Sequence, residues 1–133
     1  MRPSLVEKYA APVPRYTSYP TAPHFTPEVD AATYGRWLAA LDPKSPVSLY
    51  THVPFCDTLC WYCGCSTKAV QRYAPVGSYI DVVLAEIASV ARKVPSRLQV
   101  SHVHWGGGSP NSLVAADMRR LGEALREHFT LLD

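Results

Sequence analysis

All four cysteines of the chain lie within ten residues, in the stretch CDTLCWYCGC at positions 56–65. The spacing is C-x3-C-x2-C-x-C, formed by Cys56, Cys60, Cys63 and Cys65. Such a cluster is typical of a metal site, because the thiolate is the form of cysteine that ligates metals. A disulfide within so short a loop would stabilise the fold little, since stabilisation grows with the length of the closed loop.

The cysteine loop, residues 56–65, can be interpreted as a zinc site or as an iron–sulfur site. A structural zinc site usually takes ligand pairs from separate elements, and this chain has no second Cys or His pair at ligand spacing. A cubane iron–sulfur cluster needs thiolates spread over a wider span, which C-x3-C-x2-C provides from one loop. Three thiolates for four irons would leave one iron open to a small ligand. The iron–sulfur interpretation is favoured, and zinc stays as an alternative.

A second candidate site is the glycine loop, the stretch GGGSPNS at 106–112. Its simplest interpretation is a strand-to-helix turn in which glycine supplies a positive φ. It matches neither G-x-G-x-x-G nor a Walker motif, so nucleotide phosphate binding is disfavoured. The other interpretation is a close approach of the backbone to a ligand, which gains weight if the cysteine loop lies beside it.

Hydrophobic periodicity predicts the elements that position these loops. Helices are predicted for 27–41, 76–94 and 113–129, where apolar residues recur at helical spacing. Strands are predicted for 47–53 and 98–105, where apolar and polar residues alternate. Prolines are concentrated in the first 27 residues, which predicts an extended amino-terminal arm.

The order of these elements predicts an α/β fold with a parallel sheet, built from the first β/α units of a partial (β/α) barrel. Both candidate loops follow strands, so both are expected at the carboxyl edge of the sheet, where α/β folds place active sites. The predicted organisation is an arm and helix over 1–45 and the start of a barrel domain over 46–133. Two parallel strands cannot close a barrel, so we expect the chain to be the amino-terminal portion of a longer protein.

Composition restricts the class of protein. Apolar residues make up 47% of the 133 residues and charged residues 18%, which allows a packed core and argues against disorder. The net charge is +2, and the basic residues are scattered along the chain. Neither nucleic acid nor a membrane is therefore expected as a partner. No continuous apolar run reaches the ~18 residues of a membrane span, and no signal peptide is recognised. We therefore expect a cytoplasmic protein.

The motifs resemble those of a known family. C-x3-C-x2-C beyond a first strand, with Tyr62 before the third cysteine, resembles the radical S-adenosylmethionine (SAM) superfamily. Within it, the chain is similar to the oxygen-independent coproporphyrinogen III oxidase (coproporphyrinogen dehydrogenase) family. The similarity rests on three stretches: RYTSYPTAPHF (15–25), SLYTHVPFCDTLCWYCGC (48–65) and HVHWGGGSPN (102–111). It implies a partial barrel of radical SAM type behind a proline-rich arm.

The resemblance implies two cofactors and assigns residues to them. Cys56, Cys60 and Cys63 match the ligands of a [4Fe-4S] cluster whose open iron binds S-adenosylmethionine. The positions that match contacts to S-adenosylmethionine are Tyr50, Tyr62, Gly107, Gly108 and Ser109, where Ser109 replaces the family's threonine. Cys65, which is not a cluster ligand in the family, and His52 match positions near the active site and are the candidates for a catalytic role.

The activity that the resemblance implies is oxidative decarboxylation of two propionates of coproporphyrinogen III to vinyl groups, giving protoporphyrinogen IX in haem biosynthesis without oxygen. A 5′-deoxyadenosyl radical would remove a hydrogen from each propionate, and the protein would position the cofactors. The implied partners are the porphyrinogen and an electron donor such as a flavodoxin- or ferredoxin-type protein, with the enzyme a monomer. Two alternatives remain: a haem-chaperone-like radical SAM relative and a non-enzymatic zinc-binding module.

Overall fold

The structure, a computed structural model, describes residues 21–61 and 63–132, together with Ser4, Leu5, Glu7 and Ala10. The chain forms two compact units, residues 1–30 and residues 31–133. In the first unit a 3-10 turn spans Ala22–His24. Most of the predicted proline-rich arm lies outside the described residues.

The second unit alternates strands and helices. Its elements in chain order are α1 (Ala31–Ala39), β1 (Val47–Val53), β2 (Phe55–Cys56), β3 (Lys68–Ala69), α2 (Ala74–Ala91), β4 (Gln99–Gly107), α3 (Ala115–His128) and β5 (Thr130–Leu131). A second 3-10 turn, Pro110–Ser112, separates β4 from α3. The three predicted helices and two predicted strands are confirmed, with ends that differ by a few residues.

One parallel sheet contains β1, β4 and β5 in that order. Along β1 and β4, Tyr50 lies opposite His104 and Val53 lies opposite Gly107. The short β5 pairs only with the first two residues of β4. Parallel neighbours need a crossover connection, and α2 and α3 supply the two crossovers. The predicted α/β class with a parallel sheet is confirmed.

Two clusters of buried side chains form the core. The first contains Val53, Phe55, Val76, Ile80, Val83, Leu113 and Leu121. The second contains Leu98, Val100, Leu125 and Phe129. Full burial of one such side chain stabilises a fold by about 1.5–3 kcal/mol. Because the first cluster includes the residues that lead into the cysteine loop, it anchors the base of that loop.

Helix α2 is long and apolar enough to cross a membrane by length and composition alone. Its buried residues Val76, Ile80 and Val83 instead pack in the first cluster, at the spacing of a helix face that covers a sheet. Packing in the first cluster therefore accounts for these three apolar residues of the helix.

Two details of the helices differ from expectation. The apolar face predicted for α1 is not buried, and Tyr34 and Trp37 are exposed, because no described segment of the unit covers them. Helix α3 begins without the polar cap that helix N-termini ordinarily have, because its N-cap is Val114, which makes no side-chain capping bond. The Ser112 hydroxyl is engaged within the 3-10 turn instead.

Candidate functional site

Strands β1 and β4 end side by side, and the two candidate loops begin there. Val53 pairs with Gly107 in the last rung of the sheet. Beyond this rung, the Gly108 N–H donates to the Val53 carbonyl at 2.8 Å and the Ser109 N–H donates to the Phe55 carbonyl at 2.7 Å. The prediction that both loops lie at one edge of the sheet is confirmed, and main-chain hydrogen bonds join them.

Two glycines of the glycine loop leave no room for a side chain. A Cβ at Gly108 would lie 2.8 Å from the carbonyl carbon and 2.9 Å from the nitrogen of Phe55. Gly107 has φ of +107°, which L-residues rarely adopt, and a Cβ there would lie 2.6–2.9 Å from the His52 ring. The expected positive φ is found at Gly107, whereas Gly108 lies close to the Phe55 backbone, and the expected approach to a ligand stays a prediction.

The cysteine loop is closed at its base. Cys56 pairs with Ala69 across β2 and β3, and the Val70 N–H donates to the Cys56 carbonyl at 3.0 Å. The Gln71 amide donates to the Asp57 carbonyl at 3.1 Å. The first candidate ligand is therefore held in a short sheet, whereas the other two lie on the span that arches out from it.

None of the four cysteines forms a disulfide, so the disulfide interpretation does not apply to the structure. Cys56 is half-buried and the other three cysteines are exposed. The Ser109 hydroxyl donates to the Cys56 sulfur at 3.6 Å, and the Cys63 sulfur lies 3.3 Å from the Thr67 hydroxyl. Two of the three candidate ligands thus have a hydroxyl neighbour, and hydrogen bonds to sulfur are among the factors that set the potential of an iron–sulfur cluster.

Among the described residues, no group of three or more His, Cys, Asp or Glu side chains is gathered closely enough to hold one metal ion. The donor set nonetheless suits an iron–sulfur cluster, because three cysteines outside any disulfide lie on one accessible loop at C-x3-C-x2-C spacing. Metal binding is coupled to the ordering of its ligands. We therefore expect binding to draw the three thiols together.

A chain of hydrogen bonds runs from β1 to the cysteine loop. The Tyr50 hydroxyl lies 3.0 Å from Nδ1 of His52, and Nε2 of His52 lies 3.0 Å from the Ser66 carbonyl oxygen. The Tyr50 ring stacks on His104 at a centroid distance of 5.8 Å. The Tyr79 hydroxyl, from α2, donates to the His52 carbonyl at 2.6 Å. Burial raises the pKa of Tyr79 above its ordinary value, which keeps this donor protonated.

A second polar network joins the helices that follow the two loops. The Tyr73 hydroxyl donates to the Asp117 carboxylate at 2.6 Å and accepts from the Val114 N–H at 3.1 Å. Arg120 bridges Asp117 at 2.8 Å and Asp81 at 2.5 Å. The hydrogen bond from Tyr73, followed by that from Arg120, lowers the pKa of the buried Asp117 carboxyl. The network fixes the start of α3 against α2, and with it the far end of the glycine loop.

The structure brings some of the predicted site residues together and leaves others apart. Those that meet at the ends of β1 and β4, or on the adjoining face of β1, are Tyr50, His52, Cys56, Gly107, Gly108 and Ser109. Those carried on the arching part of the cysteine loop are Cys60, Cys63 and Cys65. Tyr62 lies outside the described residues, so its predicted role stays a prediction.

Three contacts to these residues were not foreseen from the sequence. Ser66 acts through its carbonyl, which any residue would provide, so no motif could reveal it. Thr67 lies four residues after Cys63 and Tyr79 lies on a helix face that was expected to be only apolar. The sequence offered one signal, the polar oxygen of Tyr79 within an otherwise apolar helix face.

No family model matches this chain, but curated relatives do. It is 46% identical over 133 residues to the oxygen-independent coproporphyrinogen III oxidase of Bradyrhizobium diazoefficiens, covering 99% of this chain and 30% of the relative. It is 43% identical over 125 residues to the protein of that name from Paracoccus denitrificans, covering 94% of this chain and 28% of the relative. The chain therefore spans under a third of the length of these relatives.

A solved structure is also similar. Coproporphyrinogen III oxidase from Escherichia coli, described as a radical SAM enzyme, matches with a TM-score of 0.79 and 36% identity. The match covers 96% of this chain and 27% of that one. The similarity thus extends from the sequence to the arrangement of strands and helices.

Proposed function

Because this chain is homologous to a segment of the oxygen-independent coproporphyrinogen III oxidases, we propose that it provides the cofactor-binding part of an enzyme of that family. The resemblance inferred from its motifs is confirmed over nearly its whole length. The proposed activity of the whole protein is the oxygen-independent oxidative decarboxylation of two propionates of coproporphyrinogen III to vinyl groups. The observation that carries the proposal is the C-x3-C-x2-C loop hydrogen-bonded to a glycine loop at the ends of adjoining parallel strands.

In this proposal Cys56, Cys60 and Cys63 hold a [4Fe-4S] cluster, and S-adenosylmethionine binds beside it against the glycine loop. When bound, these cofactors supply one-electron radical chemistry directed at the substrate. The protein supplies position and electrostatics. The closed base of the loop fixes Cys56 relative to β4, and the Ser109 hydroxyl donates to its sulfur.

The remaining parts of the proposed site follow the family resemblance. Gly107, Gly108 and Ser109 line the S-adenosylmethionine site. Tyr50 and Tyr62 contact the same cofactor. Cys65 lies near the reaction without ligating the cluster. The position of the glycine loop beside the first candidate cluster ligand supports this arrangement, because the Ser109 hydroxyl donates to the Cys56 sulfur.

At the level of the whole enzyme, the proposal includes a partial (β/α) barrel of radical SAM type, with an arm and helix over 1–45 and the barrel beginning in 46–133. The parallel order β1–β4–β5 supports it, since each new strand is added beside the last. The proposed substrate is the porphyrinogen, the electron donor is a flavodoxin- or ferredoxin-type protein, and the enzyme is a cytoplasmic monomer.

The test is anaerobic reconstitution with iron and sulfide, followed by low-temperature EPR of the reduced chain with and without S-adenosylmethionine. We expect a [4Fe-4S]⁺ signal that shifts when S-adenosylmethionine is added, because three-cysteine ligation leaves one iron open. The matched variants are Cys60→Ser, which should abolish the signal, and Cys65→Ser, which should retain it. Uptake of zinc without iron and sulfide, or a signal indifferent to S-adenosylmethionine, would contradict the proposal.

A further inference from the structure

The polar contacts of His52 point to a role in positioning. We propose that His52 fastens the cysteine loop to β1 through Nε2 and orients the Tyr50 hydroxyl through Nδ1. The inference rests on the proposed function for its link to S-adenosylmethionine, and on the contacts of this chain for everything else.

The partners of the ring determine where its proton lies. The Ser66 carbonyl oxygen, 3.0 Å from Nε2, can only accept a hydrogen bond, so Nε2 must donate. In the neutral ring Nδ1 then has no proton and accepts one from the Tyr50 hydroxyl at 3.0 Å. Both nitrogens of His52 are therefore committed to partners of this chain.

Two further contacts keep the ring in place. Gly107, on the adjacent strand β4 and one residue beyond the partner of His52, has no side chain, and a Cβ there would lie 2.6–2.9 Å from ring atoms of His52. The ring thus occupies the space that a side chain at that position would need. The Tyr79 hydroxyl holds the His52 carbonyl at 2.6 Å, which ties this point of β1 to α2.

The hydrogen bonds of the two His52 nitrogens have different consequences. Ser66 lies between Cys65 and strand β3, so the bond from Nε2 restrains the returning half of the loop, which carries the last two cysteines. Because the Tyr50 O–H donates its hydrogen bond to Nδ1, the lone pairs of the Tyr50 oxygen face the site. The oxygen can therefore accept hydrogen bonds from a ligand. Tyr50 would therefore meet a donor group of S-adenosylmethionine, and His52 would make no contact with the reacting atoms.

The two functions can be separated by substitution. His52→Gln places an amide nitrogen near the position of Nε2, so it keeps a donor for Ser66 and loses the acceptor for Tyr50. His52→Asn places an amide oxygen near Nδ1, so it keeps the acceptor and loses the donor. His102→Asn is the matched control, because His102 lies exposed on β4 and bonds only its neighbour Ser101 among the described contacts.

The first measurement uses the metal-free chain. Nitrogen-15 NMR of the histidine rings should show the His52 proton on Nε2. Chymotrypsin cleavage after the exposed Trp61 should be about threefold to tenfold faster in His52→Asn than in wild type, as expected for the loss of one hydrogen bond that limits opening, and near the wild-type rate in His52→Gln and His102→Asn. A proton on Nδ1, or equal cleavage of the two His52 variants, would overturn the inference.

The second measurement uses the cluster-loaded chain. Iron loss to a chelator should be about threefold to tenfold faster in His52→Asn only, whereas the affinity for S-adenosylmethionine should fall by about that factor in His52→Gln only. If His52→Asn and His52→Gln each lose both cluster retention and affinity for S-adenosylmethionine, the two nitrogens of His52 do not have separate positioning roles. Absence of cluster in the wild type would refute the proposed function alone, because the metal-free measurements still decide the role of His52.

Discussion

At the scale of the residue, the geometry of the candidate site depends on main-chain atoms and on glycines, which have no side-chain chemistry. The glycine loop is joined to β1 by two main-chain bonds, and the Phe55 backbone fills the space beside Gly108. A substitution at such a position acts through geometry, because the new atoms collide with backbone that has no alternative rotamer.

Gly108→Ala should lower the free energy of unfolding by about 1–3 kcal/mol, because its Cβ would force apart Gly108 and Phe55. Urea denaturation measures this loss. The matched control is Gly35→Ala in α1, where nothing lies within 4 Å of the new Cβ. That change should be neutral or stabilise by up to about 1 kcal/mol, because alanine favours a helix over glycine. Similar losses in both variants would show that the close approach is unimportant.

Ser109→Ala should lower the reduction potential of the reconstituted cluster, because it removes a hydrogen bond from the Cys56 sulfur. A bond of this kind corresponds to about 20–60 mV in a one-electron couple. Ser109→Thr keeps the hydroxyl and should leave the potential near the wild-type value. An EPR-monitored redox titration compares the three proteins, and equal potentials for Ser109→Ala and wild type would remove Ser109 from this role.

At the scale of the element, α2 and α3 are joined by an ionic contact near the ends that follow the two loops. Asp117 is the buried member of this contact, and its carboxylate accepts from Tyr73 and Arg120. Loss of this contact would release the start of α3, which is the helix that follows the glycine loop. The charge of Asp117 therefore affects the site through helix position.

The stabilising effect of Asp117 should depend on pH. Its pKa is lowered in the folded state from an ordinary value of 3.8, so its contribution is complete above that value and disappears as pH falls through the lower, folded-state pKa. Wild type should exceed Asp117→Asn in stability at pH 7, and the difference should shrink below pH ~4. Glu123→Gln, an exposed change on the same helix, is the control. A difference that is constant with pH would contradict this assignment.

Sequence periodicity predicted the long elements and not the short ones. Strand β1 and the crossover helices have enough residues to show alternation or helical spacing, whereas β2, β3 and β5 have two residues each and show no period. The bond from His52 to Ser66 was hidden for another reason, because its acceptor is a main-chain carbonyl. The placement of the cysteine and glycine loops at one edge of the sheet could be predicted, because both loops follow strands, whereas the cluster ligands stay a prediction.

At the scale of the whole molecule, the chain spans under a third of the length of its relatives. In the described residues, β4 has β1 along one edge but β5 covers only its first two residues on the other. An uncovered strand edge presents free N–H and carbonyl groups to other chains. The part of β4 beyond Val100 is therefore an open edge to which another chain can pair.

The 133-residue chain by itself should associate with rising concentration through this edge. Val103→Lys, at a position on β4 that is 40% exposed, should increase the monomer fraction, because charge on an edge strand opposes pairing. Val82→Lys on α2, at a position that is 63% exposed, is the control for added charge alone. Sedimentation velocity at several concentrations measures both. An equal effect of the two lysines would point to charge repulsion in general.

The bond between Ser109 and Cys56 joins residues 53 positions apart in the chain. During synthesis at about 5–20 residues per second, roughly 3–10 s therefore pass between the emergence of the first cysteine and the arrival of the loop that covers it. Throughout that interval the nascent thiols are bare on an unfinished polypeptide. Oxidants in the cell can reach the Cys56 thiol then more easily than after the glycine loop has closed over it, so the vulnerability of this site begins on the ribosome.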